Sequence, residues 1–408
     1  MKIVRFTSKQ LEKIYNRQFS RSKRVEEKVR QIIEDVRLLQ DEALIKYTKK
    51  FDGVKLMPRQ LKVSQIEISG AYQSITPNFV STLKLIIENI NKFYRKNIKK
   101  SWRIKDSEGF ILGENYQPLE KVGVYIPAGT APLVSTVYMS VLPAKIAGVK
   151  KIILISPPDK QGRINPHILV VADLLKVDEI YRVGGAQGIA ALAYGTKTIP
   201  RVDKIIGPGN IYVTEAKRQV FGFVDIDMLA GPTELVIIAN RFSEPKFIIA
   251  DLEAQAEHSG GLAILITNSR SLAKEVKSQT ENINGLIILT KNLQQAVEIS
   301  NKIAPEHLEI LVKNPQRLVK GVRNAGAIFL GSYSPTAVGD YVAGPSHVLP
   351  TKGTARFFSG LSVLDFVKSN HIISYSKKAL EKVKDPLEKI AAIEGLSKHL
   401  DSVKVRFE

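Results

Sequence analysis

From about residue 120 onward, short apolar runs alternate with amphipathic segments, and this alternation constrains the fold more than any other feature of the chain. Runs at 123–126, 151–155, 179–183 and 204–206 are brief and rich in Ile and Val, which predicts strands. Between and after them, 135–147, 166–175, 186–194 and 211–221 carry helical periodicity. A second series follows, with strands predicted at 234–238, 263–267, 286–289, 308–312 and 327–330 and helices at 245–257, 271–277, 293–303 and 315–322. Strands joined through helices form parallel sheets covered on both faces. Two such series predict an α/β protein with two Rossmann-like lobes and a crevice between them. Ligand sites in such sheets lie beyond the carboxyl ends of strands, so the strand-to-helix loops are where a site is expected.

The rest of the chain reads differently. Segments 21–49 and 79–94 are helical, so residues 1–120 are expected to form a helical N-terminal region, partly packed with the second lobe. The first lobe is assigned to 121–232, the second to 233–360, and a helical C-terminal tail to 361–408. The tail is Lys-rich, carries Pro386, and belongs to neither series. Tails of this kind pack on their own core or cross to a neighbouring subunit.

Composition narrows the chemistry. There are no cysteines, so disulfides, thiolate metal sites and a cysteine thiohemiacetal are excluded; a metal must be held by nitrogen and oxygen. The formal charge of +20 is spread along the chain, with no zinc-finger or RNP signature, so nucleic-acid binding is not expected. The N-terminal residues lack a signal-peptide core, and no apolar run approaches the ~20 residues that span a bilayer, so a cytoplasmic protein without membrane contact is expected.

Three loops at predicted strand ends contain glycine: Tyr125-Ile126-Pro127-Ala128-Gly129-Thr130, Gly184-Gly185-Ala186-Gln187 and Gly207-Pro208-Gly209-Asn210. The last lacks the final glycine of the dinucleotide fingerprint. Glycine admits close backbone approach, and Asn and Gln amides can bind ribose or nicotinamide groups, although helix-start glycines also serve ordinary turns.

Of six histidines, four have chemically suggestive neighbours. Gln255 and His258 are three apart at a helix end and share a face, where they could ligate a metal or simply form a polar helix terminus. Asp340 and His347 fall in a Gly/Pro-rich stretch. Glu306-His307 joins an acid and an imidazole at a bend, either as proton-transfer equipment or as a capping turn. His399 lies in the tail, where a histidine is ordinarily surface. A metal hydrolase using Glu306 as base accounts for this set but not for the three loops.

Taken in order, the chain resembles the histidinol dehydrogenase family over nearly its whole length. The resemblance rests on Tyr125-Ile126-Pro127, Pro132-Leu133-Val134-Ser135-Thr136-Val137, Gly184-Gly185-Ala186-Gln187, Gly207-Pro208-Gly209-Asn210 and Ala230-Gly231-Pro232-Thr233-Glu234. It continues through Gln255-Ala256-Glu257-His258, Ala304-Pro305-Glu306-His307-Leu308-Glu309, Gly339-Asp340-Tyr341, His347-Val348-Leu349-Pro350-Thr351 and Glu394-Gly395-Leu396. The resemblance implies a homodimer that oxidises L-histidinol to L-histidine with NAD. It also implies one Zn2+ per subunit, held by residues matching Gln255, His258, Asp340 and His399, the last supplied to the partner's site by the tail. It makes Glu306 and His307 the acid–base pair and Thr233, His347 and Glu394 substrate contacts, beside Gln255, His258, His307, Asp340 and His399. Tyr125, Gln187 and Asn210 match cofactor-contacting positions. Position 233, often serine in the family, is threonine here, which keeps the hydroxyl.

Overall fold

The computed structural model describes residues 1–7, 9–17, 22–128, 132–258 and 260–408. Arg21 of the expected first helix and Gly129 and Thr130 of the first glycine loop lie outside the described residues.

The chain opens with β1 (Lys2–Arg5), then α1 (Lys9–Tyr15), α2 (Lys23–Leu39), α3 (Asp41–Phe51), α4 (Gln65–Ala71) and α5 (Pro77–Tyr94). Next come β2 (Trp102–Lys105) and β3 (Phe110–Pro118). The first parallel sheet follows as β4 (Lys121–Tyr125), α6 (Val134–Ala147), β5 (Lys151–Ser156), α7 (Pro166–Leu174), β6 (Glu179–Arg182), α8 (Gly185–Tyr194), β7 (Lys204–Ile206), α9 (Ile211–Val220) and β8 (Asp225–Ile226). The second runs β9 (Glu234–Ala239), α10 (Pro245–Ala256), β10 (Leu262–Thr267), α11 (Arg270–Gln279), β11 (Gly285–Leu289), α12 (Leu293–Ile303), β12 (His307–Leu311), α13 (Pro315–Val319) and β13 (Ala327–Leu330), followed by α14 (Thr336–Tyr341). The tail holds β14 (Val367–Tyr375), α15 (Lys377–Ile393) and α16 (Ser397–Lys404).

The first sheet has the order β6-β5-β4-β7-β8 and the second β1-β11-β10-β9-β12-β13. Setting β1 aside, both start in the middle, wind outward one way and then the other. Each therefore has a topological switch point, between β4 and β7 and between β9 and β12. All six residues of β9 are buried, the near-continuous apolar run of a strand covered on both faces. Alternate side chains go to opposite layers: Leu235, Ile237 and Ala239 join one core and Val236 and Ile238 the other. The first sheet divides likewise, with Val122 and Val124 on one face and Ile153 and Ile155 on the other. Helix α2 brings Val29, Ile32, Ile33 and Val36 to that second core, beside α8 and α9.

Three features depart from the sequence expectation, the first being that residues 102–118, expected within the helical N-terminal region, hold strands β2 and β3. Residues 2–5 are a strand, paired in parallel with β11 at the edge of the second sheet, rather than part of a helical region. The tail begins as a nine-residue strand paired antiparallel with β3, which in turn pairs with β2. Two compact units result: Met1–Asn97 with Leu119–Phe366, containing both parallel sheets, and Ile98–Pro118 with Val367–Glu408, containing the antiparallel sheet and the terminal helices. Among the described residues no helix is long and apolar enough to cross a membrane.

Candidate active site

In the second sheet the candidate acid–imidazole pair sits at the amino edge, not the carboxyl edge that parallel sheets usually favour. Glu306 immediately precedes β12 and His307 opens it. The helices running back antiparallel to the strands deliver the rest: α10 ends near Gln255 and His258, and α14 carries Asp340 in its last turn. Helix α12 stops at Ala304, whose left-handed φ of 48° turns the chain toward Pro305 and Glu306.

Glu306 is buried. Its Oε2 accepts the Glu234 backbone N–H at 3.0 Å, and the Thr233 hydroxyl donates to the same carboxyl group. Burial pushes it up to about 7, against the pull of His307 and these donors. His307, also buried, has Nδ1 3.2 Å from the Glu234 carbonyl oxygen and 3.7 Å from Glu306 Oε2. An Nδ1–H donated to that carbonyl leaves Nε2 as the exchangeable position, 3.5 Å from Asp340 Oδ1. Burial works against the imidazolium, but Glu306 and Asp340 outweigh it and raise His307 to about 9.

Asp340 feels burial in one direction and His307, His347 and His258 in the other; the histidines win and hold it below its ordinary value. Its backbone carbonyl is 2.9 Å from His347 Nδ1, and His347 Nε2 is 3.3 Å from Thr136 Oγ1 at the start of α6. The carboxyl edge of the first sheet thus meets the amino edge of the second through Thr136 and His347. Burial lowers His347 and favours its neutral form. A cavity of about 560 Å³ opens beside His307, Asp340 and His347, with Tyr94, Phe329 and Leu349 in its walls.

Gln255 is buried on α10, and His258, in the turn just past the helix, is exposed. The Gln255 Nε2 atom has no hydrogen-bond partner among the described residues. Turning the amide over would put its oxygen there instead, a neutral donor for a cation. Gln255, His258 and Asp340 offer an all nitrogen-and-oxygen set that fits Zn2+ or a similar divalent ion. Among the described residues no three His, Cys, Asp or Glu side chains cluster to hold a metal, so an amide and a ligand from elsewhere would have to complete the shell. Glu394 and His399 belong to the second unit, where both line a hollow of about 270 Å³ with Leu387, Ile390 and Leu396.

The three loops meet at the switch point of the first sheet. Tyr125 ends β4, and its hydroxyl accepts the Gly185 N–H at 3.4 Å. Gly207, at φ +114°, lies so close to the Tyr125 carbonyl that a Cβ would stand 2.1 Å from its oxygen. Gln187 is buried, with an Oε1 that has no partner among the described residues. Asn210 caps α9, its Oδ1 accepting from Tyr212 and Val213, so only its NH2 is left for a ligand. Side-chain-free backbone beside the N-termini of α8 and α9, with unsatisfied amides, fits a dinucleotide.

Other residues contribute that motif reading did not single out. Glu234 donates its N–H to Glu306, accepts from His307 through its carbonyl, and is itself held bidentately by Arg17 at 2.7 Å on both oxygens. Its only signal was its place at the end of Ala230-Gly231-Pro232-Thr233-Glu234. Lys217 and Asp227 form a buried ion pair clamping Gly207: Asp227 accepts the Gly207 N–H at 2.8 Å and Lys217 donates to its carbonyl at 3.0 Å. Nothing in the local sequence marks that pair.

Two doubly wound sheets, with glycine loops at one switch point and a buried acid–imidazole pair at the edge of the other sheet, define an α/β protein of the dinucleotide-binding type. The histidinol dehydrogenase family model matches residues 15–407. A histidinol dehydrogenase of Clostridium acetobutylicum is 48% identical over 417 residues, covering 98% of this chain and 96% of that one. One of Bacillus cereus is 50% identical over 401 residues, covering 94% and 93%. The crystal structure of histidinol dehydrogenase from Elizabethkingia anophelis superposes with a TM-score of 0.94 at 36% identity, covering 100% of this chain and 98% of that one. The chain belongs to the histidinol dehydrogenase family.

Proposed function

We propose that this protein oxidises L-histidinol through L-histidinal to L-histidine, the last step of histidine biosynthesis, in the cytoplasm and with NAD as the acceptor for both oxidations. The observation carrying this reading is the buried Glu306–His307 pair, set between the Glu234 backbone and Asp340 at the rim of the cavity.

In this reading Gln255, His258, Asp340 and His399 hold one Zn2+ per subunit. Such an ion would orient the imidazole and amine of the substrate. Tyr125, Gln187 and Asn210 hold NAD, which would take up an electron pair with one hydrogen at each oxidation. His307 Nε2, in the fraction that has lost its own proton and that grows as pH rises toward about 9, accepts the hydroxyl proton of the alcohol, its ring held by the Glu234 carbonyl at Nδ1. With its carboxyl near 7, Glu306 is partly ionised at neutral pH and can take a proton from the water that hydrates the aldehyde. That route uses no thiol, as a chain without cysteine requires. Thr233, His347 and Glu394 contact the substrate, joined by Gln255, His258, His307, Asp340 and His399.

The homodimer belongs to the same proposal, with Glu394 and His399 reaching the partner's site. Its support is the tail surface, where Ile390, Ile393 and Leu396 are exposed around the hollow that both residues line.

The decisive experiment counts products. Two NADH are expected per histidinol consumed, with little free aldehyde. A yield of one, with histidinal accumulating, would overturn the double oxidation.

A further inference from the structure

Behind the acid–imidazole pair lies a second pair of ionisable side chains that this mechanism leaves unused. Glu309 is two residues beyond His307 on β12, hence on the same face of the strand, and is fully buried. Its Oε1 accepts the backbone N–H of Thr336, the first residue of α14, at 2.9 Å. Its carboxyl group is in hydrogen-bonding contact with that of Asp251, one turn before Gln255 on α10. Glu309 Oε2 has no donor among the described residues. Two ionised carboxylates are acceptors only, so such a contact requires a proton between them. Burial drives both above the ordinary carboxylate range, and proximity to Asp251 raises Glu309 further. Among the described residues, the Thr336 N–H on α14 and His307 on its own strand oppose this.

We propose that Glu309 and Asp251, sharing one proton, are a positioning pair that ties α10 and α14 to β12. Helix α10 leads to Gln255 and His258, α14 carries Asp340 and the strand carries His307, so one carboxyl group joins the three elements that supply these residues. The pair touches neither substrate nor cofactor; it acts through the separation of the groups that do. This inference rests on the reading that Gln255, His258 and Asp340 ligate a metal.

Cobalt(II), added alone and followed by its visible absorption, reports on that separation without turnover. Glu309→Ala and Asp251→Ala should each weaken cobalt binding by about 10-fold or more, the usual cost of losing a group that orients ligands, and lower kcat in parallel. Glu309→Gln should restore both to within about threefold, because its oxygen still accepts from Thr336 while its NH2 donates to Asp251. Asp251→Asn should do the same. A role in stability alone would lower Tm in the alanine variants but leave cobalt affinity, its spectrum and kcat unchanged in the folded protein, and that result overturns the inference. So does Glu309→Gln being as defective as Glu309→Ala. Asp251, only half-buried, supplies a disruptive variant that folds should Glu309→Ala not. Gln255→Ala is the reference: unchanged cobalt affinity there overturns the ligand reading itself, and the kcat comparison of alanine with amide variants still decides whether the tie exists.

Discussion

Glu306 and His307 are neighbours in sequence, yet their environments differ. Strand geometry sends adjacent side chains to opposite sides, and the bend at Pro305-Glu306 is what lets both approach the Glu234 backbone. Only the ionised form of Glu306 can accept a proton from water, so its working fraction grows as pH rises through about 7 and vanishes below. Histidinal oxidation in the wild type should therefore climb with pH across that range. Glu306→Gln should slow this step by roughly 10²–10⁴ and flatten the limb, since an amide has no proton to lose. His307→Ala should impair histidinol oxidation as well. Feeding the alcohol and the aldehyde separately between pH 5.5 and 9 resolves the two, and a Glu306→Gln profile that kept an inflection near 7 would count against the assignment. The residue types and their adjacency were readable directly. Their elevated values were not, because burial and the facing carboxylate of Asp340 come from distant segments.

Among the elements, the loop from β7 into α9 is the most tightly specified. Gly207 combines a left-handed φ of +114° with direct contact against the Tyr125 backbone, and its peptide is gripped from both sides by Lys217 and Asp227. A methyl group there must displace either the β4 end or the loop. Gly207→Ala should raise KM for NAD by tenfold or more and lower stability by about 1–3 kcal/mol, the usual range for a forced backbone conformation. Steady-state kinetics at saturating histidinol, with urea unfolding alongside, measures both; a variant with unchanged KM for NAD would remove this loop from the cofactor site. Strands β4 to β7 and β9 to β13 were legible because their runs are short and largely apolar. Strands β1, β2, β3, β8 and β14 were not. Each is short or solvated, as in the exposed residues of β2, and exists because a partner strand supplies its hydrogen bonds. The candidate cofactor residues lie at carboxyl strand ends of the first sheet, whereas returning helices bring Gln255 and Asp340 to the opposite edge of the second.

At the scale of the whole molecule, Glu394 and His399 lie in a different compact unit from Glu306, His307 and Asp340. A shared-site dimer predicts complementation between inactive chains. Mixing His258→Ala with His399→Ala chains through unfolding and refolding gives about half heterodimers if pairing is random. Each heterodimer would hold one site with both defects and one with none, so about a quarter of all sites should regain activity. With tagged chains proving that mixed dimers form, recovery near zero would show the tail serving its own subunit. The sequence alone determined the α/β class, the two series of strands, the nitrogen-and-oxygen character of any metal site and the adjacency of Glu306 and His307. These depend on local periodicity, composition and short motifs, which need no knowledge of the fold. Only the tertiary structure decided that the pair lies at the amino edge of its sheet, that Arg17 braces Glu234, that Lys217 and Asp227 clamp Gly207, and that Glu309 meets Asp251. Each of those contacts joins residues separated in the chain, and long-range packing leaves no periodic trace in the sequence it brings together.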